Sequence, residues 1–182
     1  MDYSFRNLIG KHTLIVGDVH TGKTRMMSDL LKQALKDRPR DRIVVLDFAP
    51  DVRTDKGTIG KRLKIPTSKH IDYIAPHHMH APRLEGRDAK EVLLLAEKNK
   101  SEIDDVLRKV DSRIVFLNDA TLYLHSGTAD PLIRIAEKSE TFIANAYKGK
   151  RLSNDKGSGV SLHEAEELRR LAEEMDLVIN LG

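Results

Sequence analysis

The sequence contains no cysteine and no tryptophan, and its aromatic residues are only four tyrosines and four phenylalanines. The absence of cysteine excludes a disulfide framework and a thiolate metal site. Because aromatic residues are scarce, the core must be aliphatic, and a platform of rings for stacking single-stranded nucleic acid is not expected. No apolar run approaches the roughly 20 residues that cross a bilayer, and the charged segment 1–11 does not read as a signal peptide. We therefore expect a cytoplasmic protein with no membrane partner.

The remaining composition is that of a folded protein. Its 182 residues are 40% hydrophobic and 32% charged, and the formal net charge is +3. This length and apolar content predict a single globular domain over residues 1–182. The charge balance does not by itself indicate a nucleic-acid partner, a protein partner or a homo-oligomer, and all three stay open. One basic stretch is a candidate contact for an acidic partner, and it comprises Arg53, Lys56, Lys61, Arg62 and Lys64.

Short apolar runs that are rich in β-formers alternate with amphipathic segments along the whole chain. The runs are continuously apolar rather than alternating, which is typical of strands covered on both faces. Strands that alternate with helices predict βαβ units and a mostly parallel central sheet. The sequence therefore predicts an α/β fold, a three-layer sandwich. The predicted strands are 12–16, 43–47, 71–75, 113–117, 141–146 and 177–181.

Helix boundaries follow from capping signals. Segment 23–37 carries one apolar stripe, and a helix is predicted to begin at Ser101, which can act as its N-cap. The pair Asp130-Pro131 predicts another start, because proline lacks the amide that would be unpaired there. Ser161 and Glu164 form a capping box for a last helix. Segments 49–66 and 148–160 are predicted to be loops.

The strongest signal lies between the first predicted strand and the first predicted helix. Positions 17–24 read Gly-Asp-Val-His-Thr-Gly-Lys-Thr and match the pattern G-x-x-x-x-G-K-[ST] throughout. Glycines let the backbone turn its amides towards phosphate oxygens, and the helix that follows adds its first amides and the positive end of its dipole. Lys23 can then reach the β and γ phosphates of a nucleotide, and the Thr24 hydroxyl can hold magnesium.

This motif, in its strand–loop–helix context, resembles the phosphate loop of the P-loop NTPase superfamily. The resemblance extends to the strand–helix rhythm of the whole chain, and it implies the P-loop NTPase fold with ATP and Mg²⁺ as ligands. The residues to which it assigns nucleotide binding are Gly17, Asp18, Val19, His20, Thr21, Gly22, Lys23, Thr24 and Arg25.

Proteins of this superfamily have a second apolar strand that ends in a carboxylate, and two strands of this sequence qualify. One ends in Asp47, and the other ends in Asn118-Asp119. The later strand resembles the RecA-like branch, in which an aspartate for magnesium and a catalytic glutamate stand where this chain has Asn118 and Asp119. This departure puts fast hydrolysis in question.

Three positions are therefore candidate magnesium ligands, and two are candidate catalytic residues. A strand-end aspartate can also be a simple turn residue, but ligands of open α/β sheets bind at the carboxyl ends of strands. Asn145 ends the next predicted strand and is a candidate sensor of the γ-phosphate. The candidate metal ligands are Thr24, Asp47 and Asp119, and the candidate catalytic residues are Lys23 and Asp119.

Two further groups lie at the same predicted edge of the sheet. Lys148, Lys150 and Arg151 are candidates for phosphate contact or for an arginine finger, although solvated loop charges give the same pattern. The histidines of segment 76–83 could bind a transition metal, but the flanking prolines favour a rigid loop near the active edge. These histidines are His77, His78 and His80.

Three functions fit these features. The first is a magnesium-dependent ATPase or ATP-dependent switch. The second is an ATP-dependent transferase, either a small-molecule kinase or an enzyme similar in element order to the corrinoid adenosyltransferases, with segment 76–87 as the acceptor loop. The third is a nucleotide-binding module that does not hydrolyse and that docks on a larger assembly, which Asn118 favours.

Overall fold

The centre of the protein is a six-stranded sheet. The computed structural model describes residues 3–54 and 57–182. The strands of this sheet are β1 (His12–Gly17), β2 (Ile43–Asp47), β5 (Ile71–Ile74), β6 (Ile114–Asn118), β7 (Thr141–Tyr147) and β8 (Leu177–Asn180). Their order across the sheet is β5-β2-β6-β7-β1-β8, and every neighbouring pair is parallel. All six predicted strands are confirmed.

Helices cover both faces of the sheet. They are α1 (Phe5–Leu8), α2 (Lys23–Asp37), α3 (Pro82–Glu85), α4 (Ala89–Leu107), α5 (Thr121–Leu124), α6 (Asp130–Lys138) and α7 (Val160–Glu173). Since successive strand residues point to opposite faces, Leu14 and Val16 pack with α4 to α7, whereas Ile15 packs with α1 and α2. The predicted three-layer α/β architecture is confirmed.

The predicted starts of two helices are confirmed. Helix α2 occupies the predicted segment 23–37, and Pro131 lies in the first turn of α6. The predicted start at Ser101 is wrong, because α4 begins twelve residues earlier, at Ala89. Asp88 is its N-cap and accepts a 2.9 Å hydrogen bond from the Glu91 amide, while the Glu91 side chain accepts one of 2.8 Å from the Arg87 amide. The helix start is therefore capped by Asp88, and Glu91 holds the amide of the residue before the cap.

The predicted capping box at Ser161 and Glu164 is also wrong. Helix α7 begins at Val160 after Gly159, whose φ of 80° provides the left-handed turn into the helix. Glu164 lies one turn inside the helix, and it is buried rather than turned back to the helix start. Its carboxylate contacts residues of other elements, and this arrangement is part of the candidate site.

The predicted loop 49–66 contains a short antiparallel pair, β3 (Val52–Thr54) with β4 (Gly57–Ile59). In the basic stretch of this segment, Lys56 lies outside the described residues. Segment 148–159 has no helix or strand, as predicted for a loop. No helix in the described ranges is long and apolar enough to cross a membrane.

Candidate functional site

The segment 17–24 lies between the carboxyl end of β1 and the first turn of α2. Gly17 ends β1, and a Cβ atom there would come within 2.7 Å of the Leu181 carbonyl oxygen and 2.7 Å of Thr21 Oγ1. Gly22 caps α2 with a φ of 93°, a conformation that L-residues avoid. The loop is further held by a 2.9 Å hydrogen bond from Thr21 Oγ1 to the Asp18 carbonyl. Both glycines of the motif are therefore required by the backbone path.

Lys23, the first residue of α2, curls over this loop. Its ammonium donates hydrogen bonds of 2.8 Å to the Gly17 carbonyl and 2.6 Å to the Asp18 carbonyl. Burial lowers the pKa of Lys23, and the nearby carboxylates of Asp119 and Asp18 oppose that change. The lysine is thus held against the carbonyls of the loop, and the charge of Asp119 acts on it.

Asp119 follows β6 directly and has a strained backbone. Its φ of 65° is left-handed, which is uncommon for a residue other than glycine and typical of functional sites. Its Oδ1 accepts a 2.7 Å hydrogen bond from Thr121 Oγ1. Burial raises the pKa of Asp119, against the opposing effects of the Thr121 hydrogen bond and of His125 and Lys23. The second carboxylate oxygen accepts no hydrogen bond from any residue that the structure describes.

A chain of hydrogen bonds runs along the carboxyl ends of β2, β6 and β7. Asn118 Nδ2 donates to Asp47 Oδ1 (2.8 Å), and Asn145 Nδ2 donates to Asn118 Oδ1 (2.7 Å). The Asp119 amide then donates to Asn145 Oδ1 (2.9 Å). Because a carboxylate can only accept and a backbone amide can only donate, the two ends of the chain fix the orientation of both asparagine side chains. The chain connects Asp47 to the strained backbone at Asp119.

The two candidate aspartates have different surroundings. Asp47 is fully buried, and its carboxylate accepts four hydrogen bonds from protein groups. These donors are the Ala49 amide (3.2 Å), the Leu63 amide (2.7 Å), Tyr73 Oη (3.0 Å) and Asn118 Nδ2 (2.8 Å). Since these donors occupy its oxygens, Asp47 has a structural environment, whereas Asp119 presents a carboxylate to a cavity.

That cavity has a volume of about 320 Å³ and extends from the loop 17–24 to helix α3. Residues of the loop, from Val19 to Arg25, form one part of its wall. Asn118, Asp119 and Asn145 form its floor at the strand ends. The remaining wall comes from other elements and includes Lys61, Pro82, Arg83, Leu84, Thr121, Leu122, His125, Tyr147 and Leu152.

A buried group of ionisable side chains lies at this remaining wall, where Arg83 and His125 line the cavity and Glu164 contacts both of them. Glu164 Oε2 lies 2.9 Å from Arg83 Nη2 and 2.8 Å from His125 Nε2. The Arg83 guanidinium also stacks on Tyr147, with 5.3 Å between Cζ and the ring centroid. Sequence reasoning missed His125 and Glu164, because only tertiary packing brings the end of α5 and α7 into contact. Arg83 lies in the segment that the prolines placed near the active edge.

The loop after β7 contacts the loop 17–24 through backbone amides. The Lys148 amide donates to the Gly17 carbonyl (2.9 Å), and the Lys150 amide donates to Asp18 Oδ2 (3.3 Å). Partial burial works against ionisation of Asp18, but the amides of Val19 and Lys150 and the charge of Arg151 together lower its pKa. The side chains of Lys148, Lys150 and Arg151 are exposed, and none of them lines the cavity.

The histidines near α3, which were candidate metal ligands, make the following contacts. The His80 ring nitrogen Nδ1 lies 3.0 Å from Glu85 Oε2, and the His80 amide donates to Asn99. His77 and His78 do not line the cavity. Within residues 3–54 and 57–182, no group of three or more His, Cys, Asp or Glu side chains is arranged to hold a metal ion.

The residues present fit a magnesium–nucleotide. A Cβ atom at Gly17 would clash with the loop itself, so the tight curl needs glycine, and α2 directs its first amides at that curl. Thr24 lines the cavity beside Lys23, and its hydroxyl makes no hydrogen bond to a described residue. A hydroxyl and a carboxylate oxygen are the hard ligands that magnesium prefers, with water completing the shell. Thr24 and Asp119 are the side chains that would hold it.

Comparison with solved structures identifies the fold. The flagellar accessory protein FlaH from Methanocaldococcus jannaschii matches 94% of this chain and 70% of its own, with a TM-score of 0.53 and 12% sequence identity. The VirB11 ATPase of the Brucella suis type IV secretion system, solved with sulphate, matches 97% of this chain and 45% of its own, with a TM-score of 0.49 and 16% identity. No protein-family model and no curated protein matches the sequence.

The parallel sheet, its flanking helices and the match to FlaH confirm the predicted fold. At such low identity the likeness establishes the fold alone.

Proposed function

We propose that this protein is a magnesium-dependent ATPase whose site is the cavity between the phosphate loop and Asp119. One observation carries the proposal: Lys23 and Asp119 border the same cavity and lie within electrostatic range of one another. Phosphoryl transfer needs little covalent chemistry from the protein, so that positioning and charge stabilisation do most of the catalysis. Lys23 on one side of the cavity would provide positive charge for the phosphates, and Asp119 on the other side would position the metal ion.

Each residue has a separate task in this proposal. The amides of 17–24 and the Lys23 ammonium hold the β and γ phosphates, and Thr24 and Asp119 hold the metal ion. Magnesium, when bound, supplies positive charge that offsets the charge on the transferred phosphoryl group. The alternative role for Asp119, with Thr24 and water alone on the metal ion, is that of the base that accepts the proton of the attacking water.

Asn145 is proposed to position Asp119 rather than to sense phosphate directly. Both ends of its amide are engaged, one with Asn118 and the other with the Asp119 amide. The loss of Asn145 would therefore release the backbone that holds Asp119 in its left-handed conformation. Along the chain, β2 and β5 precede the acidic strand β6, which supports the RecA-like branch.

A transferase is the second candidate, and one observation favours it. Pro82, Arg83 and Leu84, from the predicted acceptor segment 76–87, form part of the cavity wall. An acceptor bound there would be close to the phosphates of a nucleotide in the loop. This reading covers a small-molecule kinase and a reaction like that of the corrinoid adenosyltransferases.

Release of phosphate from ATP under steady-state conditions tests the two functions. The ATPase proposal predicts release by the protein alone that requires magnesium and is lost in Lys23→Ala. ATP binding without release would reject the ATPase. Release or nucleotide consumption that begins only when hydroxyl-bearing acceptors are added would establish the transferase. Binding without either reaction would leave a nucleotide-binding module that docks on a nucleic acid, a protein partner or a second copy of itself.

A further inference from the structure

The proposed chemistry does not use a cluster of three buried ionisable side chains, two of which line the cavity. Arg83 in α3, His125 after α5 and Glu164 in α7 have side chains that are only 7%, 2% and 6% exposed. Burial of ionisable groups is costly, and packed apolar residues of similar volume are often more stable. A cluster built from three separate elements, at a cavity, is therefore a candidate for a binding role.

The structure holds the Arg83 guanidinium in place from several directions. Glu164 Oε2 is 2.9 Å from Nη2, Ser161 Oγ accepts a 3.3 Å hydrogen bond from Nη1, and Tyr147 covers one face of the guanidinium. The backbone of α3 is fixed as well, because Lys156 Nζ donates to the carbonyls of Arg83 and Gly86. Little side-chain entropy is left to lose when a ligand binds.

The hydrogen-bonding capacity of the cluster is not filled. A guanidinium has five N–H donors, and for Arg83 only the bond to Ser161 is aligned as a hydrogen bond among the described residues. The contacts of Glu164 Oε2 with Arg83 and His125 are close but not aligned, so that Oε2 and both ring nitrogens of His125 lack a hydrogen-bond partner there. N–H donors of the Arg83 guanidinium therefore remain available to a bound group in the cavity, which Arg83 lines.

We propose that Arg83, with His125 beside it, binds an anionic group at the part of the cavity away from the loop 17–24, either alongside the loop's own contacts or in addition to the phosphates that the loop holds. This inference rests on the proposed nucleotide site. A planar guanidinium matches the oxygens of a phosphate or a carboxylate in a two-point contact. The group has two possible sources of the same chemistry, namely the terminal phosphate of the bound nucleotide or an acidic group on a second substrate.

The variant for the test is the double substitution Arg83→Gln with Glu164→Gln. Removing Arg83 alone would leave Glu164 buried without its cationic partner and would destabilise the fold, whereas the double variant removes both charges. Arg83→Lys, which keeps a charge for Glu164 but loses the planar fork, repeats the test in a second background. The matched control is Arg169→Gln. Arg169 is an exposed arginine of helix α7, the helix that carries Glu164, and it is paired with Glu173.

Calorimetry with magnesium, using ADP and a non-hydrolysable ATP analogue, provides the first arm. If Arg83 binds the terminal phosphate, wild type prefers the analogue, and the preference falls by about 10- to 100-fold in the double variant, the range for a charge-assisted hydrogen bond. The affinity for ADP stays unchanged, since the loop holds its phosphates. Arg169→Gln behaves as wild type.

Titration of inorganic phosphate onto protein saturated with the analogue provides the second arm. If Arg83 binds an acidic group of a second substrate, phosphate binds to the wild-type complex and not to the double-variant complex. Arg83 variants that match wild type in both arms overturn the inference, and so does a wild type that shows neither the preference nor the phosphate binding. The affinity of wild type for ADP tests the loop 17–24 independently of Arg83. If wild type does not bind ADP, the proposed nucleotide site fails, and that failure is distinguished from failure of the inference about Arg83.

Discussion

Asn118 Nδ2 lies 2.8 Å from Asp47 Oδ1 and donates a hydrogen bond to it, across the neighbouring strands β2 and β6. This contact explains why asparagine, and not a second aspartate, stands at the end of β6. A second carboxylate at position 118 would face the carboxylate of Asp47 inside the protein. The residue next along, Asp119, is then the carboxylate left for the cavity.

Asn118→Asp is therefore expected to destabilise the fold at neutral pH. Two carboxylates at this distance repel, and a buried donor to Asp47 is lost, so that we expect a cost of about 2–4 kcal/mol in the free energy of unfolding. The cost should shrink as the pH falls, because protonation of one carboxyl restores a donor. Urea denaturation across the acidic range measures it.

Asn154→Asp is the matched control for this substitution. Asn154 lies in the exposed loop after β7, where it accepts a hydrogen bond from the Lys156 amide, and an aspartate can accept the same bond. Its free energy of unfolding should change by no more than about 0.5 kcal/mol. Equal stability losses in the two variants would contradict the role assigned to the contact between Asn118 and Asp47.

Asp119→Asn should separate activity from stability. Burial raises the pKa of Asp119, so the folded state disfavours its charged form at neutral pH. The stability linked to this group is present below the ordinary aspartate pKa and is lost as the pH rises through the folded-state value. Asparagine tolerates the left-handed backbone, so that we expect Asp119→Asn to unfold at the same temperature as wild type or higher.

The same variant should lose hydrolysis. Removal of a general base or of a metal ligand typically slows the chemical step by about 10²–10⁴-fold, whereas the loop still binds nucleotide through Lys23. Phosphate release and thermal melting are measured on one sample. A variant that hydrolyses ATP like wild type would remove Asp119 from the mechanism, and a variant that melts well below wild type would give it a structural role.

Tyr73 offers a pH-dependent test of the Asp47 environment. Burial, followed by the charge of Asp47 and the hydrogen bond to it, raises the pKa of Tyr73 to about 12. The folded state thus keeps the phenol protonated above the ordinary tyrosine pKa of about 10. The resulting stability is fully present below pH ~10 and is lost as the pH rises to about 12.

Comparison of wild type with Tyr73→Phe isolates this contribution. The variant loses a hydrogen bond to a charged group, which costs about 1.5–3 kcal/mol when buried and less at this half-exposed position. The difference in unfolding free energy between the two proteins should narrow as the pH rises through that window. A difference that stays constant would show that Tyr73 does not donate to Asp47.

The cap of helix α4 is tested by two substitutions. Asp88→Ala removes the side chain that accepts from the Glu91 amide, and loss of an N-cap typically costs about 1 kcal/mol. Ser101→Ala replaces an exposed residue inside the helix, where alanine has the better propensity, so that stability should stay equal or rise by a few tenths of a kcal/mol. The opposite order of effects would contradict the helix start at Ala89.

The strands and the phosphate loop could be predicted because their signals are local. Continuous apolar runs identified all six strands of the sheet, and the motif at 17–24 stands directly between β1 and α2. Helix starts were harder to place, since Ser101 and Ser161 have the chemistry of N-caps but lie within helices. In both cases a residue further upstream, Asp88 or Gly159, provides the true start.

The contacts between distant residues around the cavity could not be predicted from local sequence patterns. His125 and Glu164 are 39 positions apart in the sequence and meet only because α5 and α7 pack on the same face of the sheet. The environment of Asn118 likewise depends on the placement of β2 beside β6, which no residue near position 118 encodes. Sequence patterns therefore predicted the position of the loop 17–24, and the fold determines what lies opposite it in the cavity.

Nucleotide binding measured by calorimetry tests the central claim most directly. Wild type, Lys23→Ala and the control Lys36→Ala, which removes an exposed lysine from the same helix, are titrated with ATP, GTP and ADP in the presence of magnesium. We predict that wild type and Lys36→Ala bind alike and that Lys23→Ala loses about 10- to 100-fold in affinity, as expected for a charge-assisted contact. If folded wild type binds none of the three nucleotides, or if Lys23→Ala binds as tightly as wild type, the phosphate-binding role of the loop 17–24 is contradicted.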